Sequence, residues 1–474
     1  MVAAIILCFF LGYAAIVFEH PLKLDKTVPA LIMGALCWAL LAIGFNNGIV
    51  EVVDTHEHLF NLFGDLSDEA HEVQEEGFKN TLLHHLGKTA EILVFLIGAM
   101  TIVEIIDLHR GFEVLKGYVT TRSKGKLLWI IGALAFILSA IIDNLTATIV
   151  LVTLLRKIIP DRNTRLWYAG MAVIAANAGG AWSPIGDVTT TMLWIGNKVS
   201  AGGLIQYLVI PSLVCFALPT FIATFLPAFK GQMAVDSDVP EDATRLLSSR
   251  LMLFLGLGMI VFVPVFKTLT HLPPYLGMML SLGIVWLVSE YIHPEEDFTE
   301  ERRHLYSPHK ALSRIEMSSI LFFLGILMAV AALESLVIPG TEFGTLRYVA
   351  EGLDKAIPDQ NIVVLLLGVA SAIIDNVPLV AASMGMYDQP MDARLWHFIA
   401  YAAGTGGSML IIGSAAGVAA MGMEKIDFIW YLKKLSWLAF IGFIAGALVF
   451  IGITSFMGEA DPEQMEQIGL LFQK

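Results

Sequence analysis

Three aspartates fall inside long apolar stretches of this 474-residue chain: Asp143, Asp187 and Asp375. A charge at bilayer depth is costly and by default marks an ion or proton path. Their neighbours extend the chemistry. Asn144 and Thr146 follow Asp143, Asn376 follows Asp375, and Asp187 lies in Ser183-Pro184-Ile185-Gly186-Asp187-Val188-Thr189-Thr190-Thr191. Carboxylate, amide and hydroxyl oxygens suit a small hard cation such as Na+, by the logic that governs other hard cations. A carboxylate also takes a proton. A site that holds either ion, never both, is the minimal chemistry of an antiporter. The expected ion- and proton-binding set is therefore Asp143, Asn144, Thr146, Asp187, Asp375 and Asn376, with the three aspartates as Na+ ligands. Ser183, Thr189 and Ser414 are supporting groups. So are Glu104 and Glu334, in roughly corresponding helices, although snorkelling at the interface is an adequate account of those two. The competing reading of the aspartates is that they cap helices, since Asp is a good N-cap; one residue can do both.

Composition says what must position these groups. Hydrophobic residues make up 56 % and charged residues 15 %, against about 25 % charged in soluble domains. Mean hydropathy is +0.72. Disorder is excluded, because it needs low hydrophobicity and high charge. The net charge of −14 argues against nucleic acid, which needs a Lys/Arg surface. Cys8, Cys37 and Cys215 all sit in apolar runs, so a disulfide framework is not expected. The fold class is an all-α polytopic membrane protein.

Spanning helices need roughly 20 apolar residues, and backbone groups in lipid must be satisfied internally. Apolar stretches lie at 2–18, 28–45, 90–108, 127–155, 166–196, 204–227, 251–270, 275–292, 316–338, 361–387, 394–424 and 435–457. The first lacks a basic leader and a good cleavage site and reads as a retained helix. Stretches 127–155 and 361–387 are long for one crossing and carry Asp143 and Asp375 mid-way. Stretches 166–196 and 394–424 contain Gly179-Gly180 and Gly406-Gly407, which read as helix breaks.

Basic loops face the cytoplasm. Both flanks of 127–155 are basic: Arg110, Lys116, Arg122, Lys124 and Lys126 before, Arg156, Lys157, Arg162 and Arg165 after. That segment therefore reads as a re-entrant hairpin with its tip near Asp143-Asn144. The flanks of 361–387 are acidic, with Glu342, Glu351, Asp354, Asp359, Asp388 and Asp392, so this hairpin should open outward. The scheme puts the 19–27 loop (Lys23, Lys26) and the 293–315 loop (Arg302, Arg303, Lys310, Arg314) inside. The acidic 46–88 loop, the N-terminus and the tail from Gly458 fall outside. The five histidines His56, His58, His71, His84 and His85 then belong to a solvated outer loop; a pH sensor or weak metal binding is the alternative.

Ser139-Ala-Ile-Ile-Asp143-Asn144 recurs letter for letter as Ser371-Ala-Ile-Ile-Asp375-Asn376. Phe95-Leu-Ile-Gly98 matches Phe322-Phe-Leu-Gly325, and Gly180 and Gly186 match Gly407 and Gly413, all at offsets of 227 to 232. Asp187 then aligns with Ser414. Two inverted repeats are expected, each with a re-entrant hairpin and a broken transmembrane helix, the architecture of secondary transporters. The expected division is 1–89 for N-terminal helices and outer loop, 90–227 for the first repeat, 228–315 for a two-helix linker, 316–457 for the second repeat and 458–474 for the acidic tail.

Ser139–Thr148 (SAIIDNLTAT), Asn177–Thr191 (NAGGAWSPIGDVTTT) and Asp375-Asn376-Val377-Pro378-Leu379 closely resemble the NhaD-type sodium/proton antiporters of the ion transporter superfamily. The resemblance spans roughly residues 20–457. It implies exchange of Na+ or Li+ for H+ across the bacterial inner membrane, no cofactor, a homodimer with scaffold and transport domains, and an elevator-like motion. Sodium-coupled dicarboxylate relatives carry Ser-Asn-Thr at their hairpin tips. The tips here read Asp-Asn-Leu-Thr and Asp-Asn-Val-Pro, and an added carboxylate repels a dianion. A sodium-coupled anion symporter is the second reading. An intramembrane enzyme lacks a Ser/His or paired-ligand signature in the spans, and a channel fits ionisable hairpin tips less well than alternating access does.

Overall fold

Short polar side chains set the helix starts. Ser67, Ser123, Asp143, Asp161, Asp187, Asp375 and Ser414 each accept a backbone N–H at the N-cap, which satisfies donors a helix start leaves open. The structure, a computed structural model, describes residues 1–64, 67–119, 121–233, 246–292, 306–341 and 343–457. The expected acidic tail, Arg302, Arg303 and Glu342 lie outside them.

The helices of the N-terminal part are α1 (Val2–Val17), α2 (Glu19–Leu22), α3 (Thr27–Asn46) and α4 (Asp68–Leu108). Next come α5 (Lys124–Ile142), α6 (Asn144–Ile158), α7 (Arg162–Gly180), α8 (Val188–Ile195) and α9 (Ala201–Ala223). Then follow α10 (Ser249–Thr270), α11 (Pro274–Tyr291), α12 (Pro308–Leu312) and α13 (Met317–Ser335). The last group is α14 (Thr345–Ala356), α15 (Gln360–Ala370), α16 (Asn376–Met386), α17 (Arg394–Gly406), α18 (Ala415–Glu424), α19 (Phe428–Lys434) and α20 (Ser436–Met457). A two-residue antiparallel ribbon, β1 (Val52–Val53) with β2 (Leu59–Phe60), covers one end. Seven of these helices are long and apolar enough to cross a membrane. Large apolar side chains such as Phe221, Phe254, Leu269 and Leu448 face outward on their surfaces, as lipid contact requires. The chain is a multi-pass membrane protein.

Two contacts fix the shape of 124–158. The Tyr168 hydroxyl donates to the Lys124 carbonyl at 2.6 Å, and the Ser139 hydroxyl to the Ala176 carbonyl at 2.6 Å. Helices α5 and α7 therefore run parallel. Helix α6, which joins the far end of α5 to the near end of α7, must run back. The serine contact recurs later, with a different contact at the helix starts. Arg394 donates to the Asn361 side chain at 2.6 Å, and Ser371 to the Ala403 carbonyl at 2.9 Å, so α16 doubles back beside α15. Each segment is a helix–break–helix hairpin whose two ends lie together.

The halves of the broken helices can be traced end to end. Arg162 at the start of α7 donates to the Glu424 carbonyl at 3.1 Å, at the end of α18. Beyond α8, the Ser200 N–H donates to Asp392 at 2.7 Å and the Asp392 N–H to the Lys198 carbonyl at 2.9 Å, just before α17. The pair α7–α8 thus runs from an arginine end, where Glu424 sits, to an Asp392 end, and α17–α18 runs the opposite way. The first hairpin opens at the arginine end and the second at the Asp392 end. The arms differ in length: 19 and 15 residues in the first hairpin, 11 and 11 in the second.

Glycines allow the close approach. A Cβ on Gly179 would lie 2.1 Å from the Phe136 carbonyl oxygen, and one on Gly406 2.1 Å from the Gly368 carbonyl oxygen. The hairpins therefore lie backbone-to-backbone against the broken helices.

The 46–88 segment, expected as an outer loop, is not a loop throughout. Helix α4 begins at Asp68 and runs unbroken for 41 residues, so the expected boundary at 89/90 cuts a helix. His71, His84 and His85 lie on it, and His85 bonds Ser335 of α13 at 3.0 Å. The 19–27 connection also differs from a plain loop. It contains α2, and Lys26 turns inward at the start of α3.

Candidate functional site

Four half-helices start at one place. Asn144, Leu145, Thr146, Val188, Asn376, Val377 and Ala415, from the first turns of α6, α8, α16 and α18, line a chamber of about 70 Å³. Asp143, Asp187, Asp375 and Lys26 line it too. A helix N-terminus carries roughly half a positive charge, so four of them gather carboxylates readily.

Asp187 is the hub. It is 2 % exposed. One oxygen takes the Asn144 amide at 2.7 Å and the Asn376 amide at 3.2 Å. The other takes the N–H and hydroxyl of Thr189, both at 2.9 Å. One tip residue of each hairpin thus meets on one carboxylate from the first broken helix. Asn144 also donates to Asn177 at 3.1 Å, and Asn177 donates to Ser414 at 2.9 Å. Ser414 sits where the repeat places it. Its backbone (φ −145°, ψ 154°) matches that of Asp187 (φ −149°, ψ 147°), and it caps α18 as Asp187 caps α8. One half brings a carboxylate here and the other a hydroxyl.

The hairpin tips differ in what answers their aspartates. At Asp143 the Thr146 N–H and hydroxyl each donate at 2.8 Å. Asp143 has φ +84° with ψ 157°, a region nearly reserved for glycine and worth about 1–3 kcal/mol of strain. At Asp375 the Val377 N–H donates at 3.2 Å to one oxygen, and the Lys26 ammonium reaches the other at 2.8 Å. Lys26 joins the site from the start of α3, 349 residues away. Read as a loop charge, it carried no sequence signal beyond being a cation directly before an apolar helix. Each carboxylate is thus answered by donors of the chain itself. Among the described residues no group of three or more His, Cys, Asp or Glu side chains is arranged to hold a metal ion.

The supporting residues divide. Thr189 and Ser414 belong to the hub network. Ser183 caps the turn within the break, accepting from the Ile185 N–H at 3.3 Å. Glu104 pairs with Arg314 at 3.1 Å and lines a larger cavity. Glu334 lines a separate cavity of about 540 Å³ at the Asp392 end, with Lys198, Lys88, His84 and His85. Neither glutamate lines the central chamber.

The larger cavity, about 860 Å³, opens at the arginine end among Arg110, Lys116, Lys157 and Arg314. It reaches down to Lys26, Leu145, Thr146 and Ala415, which also line the chamber. Carboxylate and amide side chains at helix breaks, two oppositely opening hairpins and a cavity that reaches the chamber's lining from one end fit a secondary transporter. Residues 13–399 match the family model described as "Citrate transporter". The chain is 44 % identical over 471 residues to "Sodium/proton antiporter 1" of Arabidopsis thaliana, covering 99 % of this chain and 75 % of that protein. It is 31 % identical over 475 residues to "Na(+)/H(+) antiporter NhaD" of Alkalimonas amylolytica, covering 94 % and 89 %. The YdaH transporter of Alcanivorax borkumensis shares its fold, with a TM-score of 0.57 at 14 % identity over 92 % of this chain and 100 % of that one. The chain belongs to the NhaD-type sodium/proton antiporters, within the family of the citrate transporter model.

Proposed function

We propose that this protein exchanges Na+ or Li+ for H+, the two kinds of cation competing for the intramembrane carboxylates Asp143, Asp187 and Asp375. The observation that carries the reading is the meeting of Asn144 and Asn376 on Asp187, with Asp143 and Asp375 lining the same chamber. The small chamber and its three carboxylates suit a bare cation and disfavour an organic dianion. The named antiporter relatives point the same way.

In this reading the arginine end is cytoplasmic, because basic residues gather there, and the 860 Å³ cavity makes this the inward-facing state. Both termini are then extracytoplasmic. The two halves act as inverted repeats around the fixed chamber. We place the protein as a homodimer in an energised membrane, the bacterial inner membrane being the case the NhaD resemblance gives. No cofactor is required by this chemistry.

The test is reconstitution in vesicles carrying an acid-inside pH gradient. Added Na+ or Li+ should collapse the gradient with no organic anion present. A gradient that collapses only when citrate or another carboxylate accompanies Na+ would favour the anion symporter instead.

A further inference from the structure

The two hairpin tips present the same aspartate to different partners. Asp143 faces a neutral hydroxyl, Thr146. In the second half the equivalent position is Pro378, which has no donor, and a primary ammonium takes its place. Lys26 Nζ lies 2.8 Å from Asp375 and 4.5 Å above the Phe322 ring. The pair is not locked away: the Lys26 and Asp375 side chains are 28 % and 16 % exposed, both line the central chamber, and Lys26 lines the large cavity as well. Glu19 and Glu316 both lie within electrostatic range of Lys26, and Glu316 lines the large cavity with it.

We propose that Lys26 is a resident counter-cation of Asp375, which a transported Na+ must displace to bind there. This rests on the exchange reading above. Charge balance supports it. Three carboxylates face one ammonium and four helix ends of roughly half a charge each, so the empty chamber is close to neutral. Adding Na+ beside a seated ammonium would leave two cations on one carboxylate. A lysine is suited to yielding: its ammonium is a compact point charge on a flexible four-carbon stem, and Glu316 offers a second acidic neighbour on the cavity wall. Thr146 need not leave, because a hydroxyl can turn its oxygen toward a cation while its carboxylate stays in place. The tips then have different roles. The Asp375 tip sets how much Na+ is needed to load the site, and the Asp143 tip holds the ion once the lysine has moved.

The experiment measures Na+-driven gradient collapse in vesicles at about pH 9, where proton competition is weakest, for the unaltered protein, Lys26→Gln, Lys26→Arg, Asp375→Asn and the double change. Removing the competing cation should lower the apparent KM for Na+ in Lys26→Gln by fivefold or more, while Lys26→Arg stays within twofold. In the double variant the gain should vanish, because its target carboxylate is gone. An unchanged or raised KM in Lys26→Gln, with the unaltered protein exchanging normally, overturns the proposal and leaves the exchange reading intact. Absence of Na+-driven exchange in the unaltered protein is a failure of that reading instead. If Lys26→Gln does not accumulate, Lys26→Cys labelled with an aminoethyl or a neutral methyl thiosulfonate gives the same contrast. The aminoethyl adduct should show the higher KM, and equal KM values for the two adducts overturn the proposal.

Discussion

Asn144 and Asn376, at the tips of hairpins that open toward opposite ends of the molecule, donate their side-chain amides to the same oxygen of Asp187, at 2.7 and 3.2 Å. A single carboxylate therefore ties both hairpins to the first broken helix. Any step that moves one tip relative to the other must loosen at least one of these bonds.

Asp187→Asn removes the charge that both amides point at. A hydrogen bond to a charged group is worth about 1.5–3 kcal/mol and a neutral one about 1. Apparent Na+ affinity in vesicles should fall tenfold or more. Ser414→Ala loses only neutral bonds to Asn177 and the Gly417 N–H and should change affinity less than threefold. Equal small effects would reduce Asp187 to a helix cap.

Asp143 separates a capping role from an ion-binding one. Asp143→Gly relieves the strain of its positive φ and loses an N-cap worth about 1 kcal/mol. The two effects nearly cancel, so the melting temperature in detergent should move by only a few degrees. Exchange should be lost. A large drop in stability, or exchange at the original rate, would assign Asp143 to structure alone.

Glu424 is a structural prediction. Its side chain is 1 % exposed and lies between Arg156 at 2.6 Å and Arg165 at 2.8 Å, joining α18 to α6 and α7. Removing one partner of such a buried group is costly, although the half-exposed Arg156 is screened. Glu424→Ala should cost about 2–4 kcal/mol, read as lower thermal stability. Stability within 0.5 kcal/mol of the original would show that the network contributes nothing net.

Accessibility tests the hairpins in the membrane. Cysteines placed at Lys124 and Lys157 should label from the same side, and cysteines at Lys355 and Asp388 from the other. Opposite-side labelling within either pair would make that segment a plain crossing.

The helix breaks at Asp143 and Asp375 were legible in the sequence because the Ser-Ala-Ile-Ile-Asp-Asn motif and the capping chemistry of its aspartate are local; the expectation of re-entrant hairpins came instead from the basic and acidic flanks. The Gly-Gly breaks were legible for the same reason. Lys26 was not. Its pairing with Asp375 is a tertiary contact, and a lysine before an apolar helix reads equally well as a cytoplasmic flank. The first half of α4 was hidden by polarity. A hydropathy window passes over Asp68–Lys88, yet Phe78, Thr81, His85 and Thr89 are buried at helical spacing, and Ser67 caps the start with Asp68 and Glu69 in the first turn. That cap signal was available. Glu104 and Glu334 occupy corresponding helices, but the structure puts them in separate cavities on either side of the chamber. Sequence correspondence carries no information about how deep a side chain reaches.

The central claim is that Na+ and H+ compete for the same carboxylates. Equilibrium binding of radioactive Na+ to the purified protein between pH 4.5 and 9, a range that extends down through the titration of carboxylates, tests it without any transport step. Competition by one proton makes the apparent Kd for Na+ rise about tenfold for each pH unit below the titration point of the site, and Asp187→Asn should flatten or abolish this dependence. A Kd for Na+ that stays constant across the range would contradict a shared site.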